Sequence, residues 1–189
     1  NFFQRKRYNL EETLGRFVDD IIHLRGINKL IQRIEEAIAN TLYSQGIKTF
    51  IYNPNKKPEN SFLIWLGEND KIAHGDFLDL DPAYAAIKDE AKKYFAQTQS
   101  TICLPLVLGD NLLGVINLGK KANLKSYTAI DFHFLTMLKN QSVIAISNSL
   151  VYEDIEGQVR ARTAELVEAQ KQLVQAAKLA TMGTLAGGV

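Results

Sequence analysis

The stretch STICLPLVLGDNLLGVINLGKK (residues 100–121) decides the fold, because it contains two apolar runs separated by a short turn. The runs are residues 102–108 and 112–118, and the Gly-Asp-Asn turn between them is made of residue types that tolerate a positive φ. This pattern predicts a β-hairpin. Both runs are apolar on both faces, so we expect the hairpin to be central in its sheet and covered on each side. Pro105, which cannot donate a ladder hydrogen bond, predicts a bulge within the hairpin.

The chain before this hairpin predicts the rest of a mixed domain. KTFIYN (48–53) and SFLIWL (61–66) are rich in strand-forming residues and flank an Asn- and Pro-rich turn, so they predict a second hairpin. The segment AYAAIKDEAKKYF (83–95) follows Pro82 and has the helical period. Gly46 predicts the end of the amphipathic helix that precedes the first strand.

Long helices are predicted at both ends of the chain. Near the start, apolar residues follow a heptad pattern that Gly26 interrupts. Thr128 and Asp131 resemble a capping box, and no proline follows them. Beyond Leu150 the apolar residues narrow to a seam with a seven-residue repeat, which needs a partner helix, most simply from a second copy of the chain. The predicted dimer seam consists of Leu14, Phe17, Ile21, Leu24, Ile155, Val159, Leu166, Leu173 and Ala180.

The amino-acid composition limits the classes of binding partner and the cellular compartment that we expect for this chain. The chain has 189 residues with a formal net charge of +1, which gives no reason to expect a nucleic acid as partner. Its one cysteine cannot form an intramolecular disulfide, so a reducing cytoplasm fits best. The basic residues Arg5, Lys6 and Arg7 also suit the cytoplasmic side of a membrane helix, so the parent protein is either anchored in the inner membrane by an upstream segment or not anchored.

The middle section, about residues 27–150, resembles the GAF domain family. The resemblance rests on the hairpin ICLPLVLGDNLLGVINLG followed by the helix SYTAIDFHFLTMLKNQSVIAISNSL. It implies an α/β (α+β) fold with a central antiparallel sheet flanked by helices, a ligand pocket on one side, and long N- and C-terminal coiled-coil helices. The implied organisation is an N-terminal signalling helix (1–26), the GAF domain (27–150) and a C-terminal coiled-coil linker (151–189) that leads into a truncated phosphotransfer helix.

The last residues, KLATMGTLAGGV (178–189), resemble the start of the dimerisation and phosphotransfer helix of sensor histidine kinases. This resemblance implies a sensory module of a two-component system that dimerises and relays an input to a kinase core outside this chain. The family's acceptor histidine and ATP-binding domain are absent from the sequence given, so we expect no enzyme activity from it. The implied partners are a second copy, the kinase ATP-binding domain and a response regulator. Two alternatives stay open: a ligand-free structural dimerisation connector, and a GAF module that binds a small molecule such as a cyclic nucleotide.

The sequence offers no catalytic constellation, no phosphate-binding glycine loop and no metal-ligand spacing. We therefore expect no catalytic residue, no metal and no particular cofactor beyond an unidentified small molecule. A pocket would combine apolar walls with few polar groups, and the same residues equally suit a core. Cys103 in its strand is expected to act as a small hydrophobe rather than as an attachment point. The candidate pocket residues are Tyr52, Trp65, His74, Tyr84, Ile87 and Cys103.

GAF domains that bind cyclic nucleotides carry an N-K-x-F-D-E-type signature. Asn123, Lys125, Tyr127 and Asp131 lie in the corresponding area of this chain, but Phe132 stands in place of the final Glu. The signature is shared with members that do not bind a nucleotide. The sequence therefore leaves cyclic-nucleotide binding open without supporting it.

Overall fold

The fold is α+β, with one four-stranded antiparallel sheet and five α-helices in the described part of the chain. The computed structural model describes residues 2–52 and 58–188. The chain divides into two units, Asn1–Ser149 and Leu150–Val189. In chain order the elements are α1 (Phe2–His23), α2 (Ile27–Leu42), β1 (Lys48–Ile51), α3 (Ser61–Asn69), β2 (Ala73–His74), the 3-10 helices Gly75–Phe77 and Pro82–Tyr84, α4 (Lys88–Thr98), β3 (Ile102–Leu108), β4 (Asn111–Leu118) and α5 (Ala129–Ala186).

The predicted central hairpin is confirmed. The strand order is β1-β4-β3-β2, so the hairpin strands β3 and β4 occupy the middle of the sheet. The predicted bulge is also present, but the extra residue is Leu113 of β4, because the register shifts between Leu106 and Val107. Pro105 itself pairs with Val115 across the hairpin. Strand β2 pairs only with the first two residues of β3, so within residues 2–52 and 58–188 no strand lies beside Pro105 on that side, as a proline requires.

Two glycines of the hairpin motif permit a close approach of neighbouring backbone. A Cβ atom at Gly114 would lie 2.3 Å from the carbonyl oxygen of Phe50 in β1. A Cβ atom at Gly119 would lie 2.7 Å from the carbonyl oxygen of Gln45. Both distances are shorter than any side chain tolerates, so the glycines of LLGVINLG are required by packing against the chain that leads into and forms β1.

The second predicted hairpin is wrong, because SFLIWL forms helix α3 instead of a strand. The side chain of Asn60 begins this helix by accepting hydrogen bonds from the backbone N–H groups of Phe62 (2.9 Å) and Leu63 (3.3 Å). The buried residues Phe62, Leu63 and Leu66 fall on one helical face. A local cap and a helical burial pattern thus outweigh the strand propensity of the individual residues. Residues 53–57 of the predicted turn lie outside the described part.

Several element boundaries also differ from the prediction. The strand predicted to reach residue 53 is described only to Ile51. Helix α2 ends at Leu42, well before Gly46, because Tyr43 adopts the left-handed conformation (φ 55) and closes the helix. The helix predicted ahead of the central hairpin begins later than expected, at Lys88, because a separate 3-10 turn precedes it.

The two faces of the sheet carry different sets of helices. Because side chains alternate along a strand, Cys103 and Val115 point to one face, where α3 and α4 cover them. The intervening residues point to the opposite face, where α2 contacts β1 and Phe132 of α5 contacts His74. In the central strands β3 and β4, the side chains that point to this second face are fully buried. They are Ile102, Leu104, Leu106, Ile116 and Leu118.

Helix α1 packs against α2 within the same chain. Phe17 and Ile21, two residues of the predicted dimer seam, are buried there, and Leu14 and Leu24 are half-buried. An ion pair between Arg33 of α2 and Asp20 of α1 (2.5 Å) joins the two helices at the surface. The central residues of the N-terminal part of the predicted dimer seam are therefore already buried within the single chain, where α1 packs against α2.

The capping box that begins α5 is confirmed. The backbone N–H of Thr128 donates to the Asp131 carboxylate (2.8 Å), and the N–H of Asp131 lies 3.4 Å from the Thr128 hydroxyl. The helix then continues without a break to Ala186, as the lack of proline predicts. No described helix is long and apolar enough to cross a membrane. The side chains of Arg5, Lys6 and Arg7, on which the membrane-anchor interpretation rests, lie outside the described part.

In the unit Leu150–Val189 the apolar residues of α5 have no partner among the described residues of that unit. Ile155, Val159, Leu166 and Leu173 are 49%, 57%, 71% and 71% exposed, and Ala180 is exposed as well. These five residues form the C-terminal part of the predicted dimer seam, which we call the α5 seam. A helix with such a stripe leaves its apolar surface in water unless another helix covers it.

Candidate ligand site on one face of the sheet

The face of the sheet that α3 and α4 cover contains a cluster of buried side chains rich in aromatic rings, which we call the aromatic cluster. Its buried members are Phe62, Leu63, Leu66, Ala73, Leu78, Tyr84, Ile87, Ala91, Tyr94, Phe95, Cys103 and Val115, and the partly buried Tyr52, Trp65 and Leu112 pack against them. Five of the six candidate pocket residues, all except His74, are thus brought together in one place.

Phe62 is the centre of the ring packing. Its ring centroid lies 5.1 Å from that of Tyr94, 5.7 Å from that of Phe95 and 6.5 Å from that of Trp65. Trp65 also lies 5.0 Å from Tyr84. At such separations tilted or offset aromatic pairs attract each other by about 0.5–1.5 kcal/mol beyond the burial of their area. The cluster is therefore a well-packed apolar wall, to which α3 contributes Phe62 at the centre and Trp65 at the edge.

A small polar group lies inside the aromatic cluster. The side-chain amide of Asn117 donates a hydrogen bond to the Tyr94 hydroxyl (2.8 Å), and the Cys103 sulfur lies 4.0 Å from the same oxygen. Burial raises the pKa of the Cys103 thiol to about 12 and also raises the pKa of Tyr94. Both groups are neutral near pH 7, so Cys103 lacks the thiolate that a redox sensor or an attachment point requires.

Asn117 is a site residue that the sequence interpretation missed. It is 1% exposed and lies between Ile116 and Leu118, two buried apolar residues of β4. The signal that could have identified it is the amide within the apolar run VINL, because a buried amide needs hydrogen-bond partners. Its partner Tyr94 lies on α4, which no local pattern connects to β4.

The rim of the aromatic cluster is partly open to solvent. Tyr52 and Trp65 are only partly buried, and burial raises the pKa of Tyr52 to about 12. Lys71 lies beside this rim, with its Nζ 5.3 Å from the centre of the Tyr84 ring and an ion pair to Asp81. The hydrogen bond to Asp81 raises the pKa of Lys71, which keeps it cationic. The rim therefore presents partly exposed aromatic surface beside a Lys71–Asp81 ion pair, and such a surface suits a planar small molecule.

His74 lies on the opposite face of the sheet from the other candidates. Its neighbour Ala73 pairs with Cys103 and joins the aromatic cluster, so the next residue of the strand points the other way. There the imidazole lies 4.7 Å from the ring of Phe77 and 5.9 Å from that of Phe132. Burial lowers the pKa of His74 and the nearby carboxylate of Asp76 opposes this shift. His74 is thus a buried contact of α5.

Two of the residues in the cyclic-nucleotide area hold the start of α5. The hydroxyl of Tyr127 lies 2.8 Å from both Ser44 Oγ and the Gly119 carbonyl oxygen. Asp131 is fully buried and forms an ion pair with the buried Lys121 (2.5 Å). Removing one partner of a buried pair leaves an uncompensated charge, at a cost of about 3–5 kcal/mol. Tyr127 and Asp131 are therefore structural residues in this fold.

The other two residues of that area are exposed. The side chain of Asn123 accepts a hydrogen bond from the backbone N–H of Lys125 (3.1 Å) and so stabilises its own turn. Neither residue belongs to the aromatic cluster. The four residues thus divide into two that hold the start of α5 and two at the surface.

Among the described residues, no group of three or more His, Cys, Asp and Glu side chains could hold a metal ion. His23 and His133 are exposed and lie on different helices. A comparison with protein families finds no family model that matches the chain, and a comparison with curated proteins finds no significantly similar sequence.

Proposed function

We propose that the chain is the sensory and signal-relay GAF module of a two-component sensor histidine kinase, and that it works as a homodimer in the cytoplasm. The single observation that carries this proposal is the 58-residue helix α5, which begins at the sheet and presents an uncovered apolar seam over its second half. A narrow seam of this kind contributes stability only when a partner helix covers it.

The α5 seam favours a second copy of the chain as that partner. Val159, Leu166, Leu173 and Ala180 recur every seven residues, the repeat of a left-handed coiled coil. Burying one Leu side chain contributes about 1.5–3 kcal/mol, so a few seam positions from each of two copies suffice for a micromolar dimer. The same pattern on an identical helix is automatically complementary under two-fold symmetry.

In this proposal the module itself is not an enzyme. An input at the N-terminal helix or at the aromatic cluster changes how two copies pack, and α5 carries the change as a rotation or shift between two packings of the seam. The destination is a kinase core with an ATP-binding domain, which transfers phosphate to its own histidine and on to a response regulator in a phosphorelay. The transferase activity belongs to that parent protein.

Sedimentation equilibrium tests the dimer. We expect the unchanged chain to be a dimer at micromolar concentration, and the double variant L166R/L173R to be a monomer, because two charges then lie in the seam. Val167 and Val174 are also exposed (61% and 49%) but lie one position outside the seam, so V167R/V174R is the matched control and should remain a dimer. A stable monomer of the unchanged chain would contradict the proposal.

A second candidate function is small-molecule binding at the aromatic cluster, and the partly open rim with Lys71 supports it. Native mass spectrometry of the purified protein separates this module from a ligand-free connector, because a co-purified small molecule excludes the connector. Titration with cyclic AMP or cyclic GMP, followed by the fluorescence of Trp65, the only tryptophan, tests the nucleotide version. A flat titration would exclude the nucleotide version, and native mass spectrometry without a co-purified molecule would favour the ligand-free connector.

A further inference from the structure

Helix α3 is tied to helix α5 by one buried lysine. The Nζ atom of Lys139 lies 2.5 Å from the Asp70 carboxylate and 3.4 Å from the Asp70 carbonyl oxygen. Only 5% of the Lys139 side chain is exposed, whereas half of the Asp70 side chain is. Asp70 is the residue that ends α3: it has a left-handed conformation (φ 46), and its N–H bonds to the Leu66 carbonyl (2.9 Å).

The position of this lysine at the end of α3 has a physical reason. The last carbonyl groups of a helix carry a partial negative charge, and a cation placed there is stabilised by them as well as by the carboxylate. Lys139 belongs to α5, so this stabilisation joins two elements far apart in sequence. Because the Lys139 side chain is almost fully buried, water cannot easily replace Asp70 as its partner. Breaking the ion pair while Lys139 keeps its buried position therefore costs free energy.

Helix α3 also forms one wall of the aromatic cluster. Phe62 and Leu66 on its inner face are fully buried in the cluster, and Trp65 lies at the rim. The helix is only nine residues long, so a displacement at the rim moves its end as well. When Asp70 moves, Lys139 must either follow it or leave its buried site, and both require α5 to shift.

We propose that the Asp70–Lys139 ion pair transmits displacement of α3 over the aromatic cluster to α5, and that both residues are positioning residues for the relay. The pair has the asymmetry that such a link needs: Asp70 can exchange its partner for water, and Lys139 cannot do so without a movement of its helix. This gives two discrete arrangements, attached and released, which a coupling element requires. The relay role rests on the proposed function, whereas the coupling itself is a property of this chain alone.

Hydrogen exchange of the full chain tests the coupling in both directions. We expect K139M on α5 to make the amides of α3 (Ser61–Asn69) exchange roughly 5- to 30-fold faster, the factor that loss of one such interaction produces. D70N, at the end of α3, should in turn accelerate exchange in the first turns of α5. Acrylamide quenching of Trp65 should increase in both variants, because the rim loosens.

Two comparisons separate coupling from ordinary stabilisation. The double variant D70N/K139M should change exchange no more than either single variant, since both remove the same interaction. The control is K88M. Lys88, the first residue of α4, forms a surface ion pair with Asp79 (2.8 Å) on the same side of the sheet, so its loss should leave amide exchange in α3 and α5 unchanged. K139R keeps the cation and should retain near-normal exchange of α3, which covers the case that K139M fails to fold.

The proposal is overturned if D70N leaves α5 exchange unchanged, if the two substitutions add, or if K88M has the same effect. Failure of the proposed signalling function would look different: the unchanged chain would sediment as a monomer while the exchange coupling persisted. Conversely, if the chain is a dimer but exchange in α3 and α5 is not coupled, the proposed relay function stands and the Asp70–Lys139 link is wrong.

Discussion

The two heptad patterns of this chain look alike in sequence and have different outcomes in the structure. In α1, Phe17 and Ile21 are buried against α2, and Arg33 pairs with Asp20 across the two helices. In α5, Leu166 and Leu173 are both 71% exposed. A seven-residue repeat therefore specifies that a partner helix is needed, and not whether that partner comes from the same chain or from another. What decides is the next element, because α2 follows α1 directly and presents its own apolar face.

Truncation of α1 should produce the largest effect on stability. Phe17 is fully buried, so F17A should lower the free energy of unfolding of the unit Asn1–Ser149 by about 3–5 kcal/mol. Urea unfolding followed by the fluorescence of Trp65 measures it. The control I22A changes an exposed residue of the same helix (68% exposed) and should cost little. An F17A midpoint equal to that of the unchanged protein would mean that the N-terminal seam is not an internal interface.

Truncation in α5 should act on association instead. L173A removes one seam side chain from each of the two copies and should weaken the dimer by about 3 kcal/mol, roughly a 100-fold higher dissociation constant. The midpoint of the sheet unit, read from Trp65 in dilute protein, should stay unchanged. V174A is the matched control, one position outside the seam. If L173A and V174A weaken association equally, the seam has been assigned to the wrong side of the helix.

The contributions to stability of the start of α5 and of its exposed half can be compared by replacing one threonine in each. T128A removes the cap hydroxyl near the Asp131 N–H and should cost about 1 kcal/mol. Thr163 only donates to the Val159 carbonyl (2.8 Å) on the exposed part of the helix, so T163A should stay within about 0.5 kcal/mol. Thermal unfolding under identical conditions gives both values. Equal losses would show that the capping box does not hold α5.

The smallest expected effect is a pH dependence that arises from His74, which is buried beside Phe132 near the start of α5. Burial lowers the pKa of His74 in the folded protein below its ordinary value of 6.5, so between these two values the unfolded chain binds the proton and the folded chain does not. Stability should therefore be complete above pH 6.5 and fall as the pH decreases below it. H74N keeps an acceptor for the Asp76 N–H and should flatten this decline in urea titrations from pH 7 to 5, whereas H133N, at an exposed site, should not. A steeper decline in H74N would reverse the assigned sign.

Local patterns predicted those parts of the fold whose interactions are local. The central hairpin, the capping box and the length of α5 are confirmed, because each depends on neighbours within a few residues. SFLIWL was misassigned as a strand because its residue types favour strands, while the Asn60 cap that begins α3 competes with that propensity at a single position.

The candidate site could be predicted in part. Five of its six residues meet in the aromatic cluster, since apolar residues on the inner face of successive elements converge on one core. His74 was predicted to join them because the irregular segment around it would border the pocket of a GAF fold, but strand alternation assigns it to the other face. Asn117 and the pair of Asp70 and Lys139 were missed, because their partners lie on elements that no sequence period relates.

By itself, the sequence determined which segments are apolar, with which period, and where several of them begin and end, because these are properties of short stretches of chain. Only the tertiary structure decided which heptad seam is already covered, which face of the sheet receives each side chain, and which buried polar groups meet. Those outcomes depend on distances between residues far apart in the chain, and they are set by packing that must satisfy every element at once.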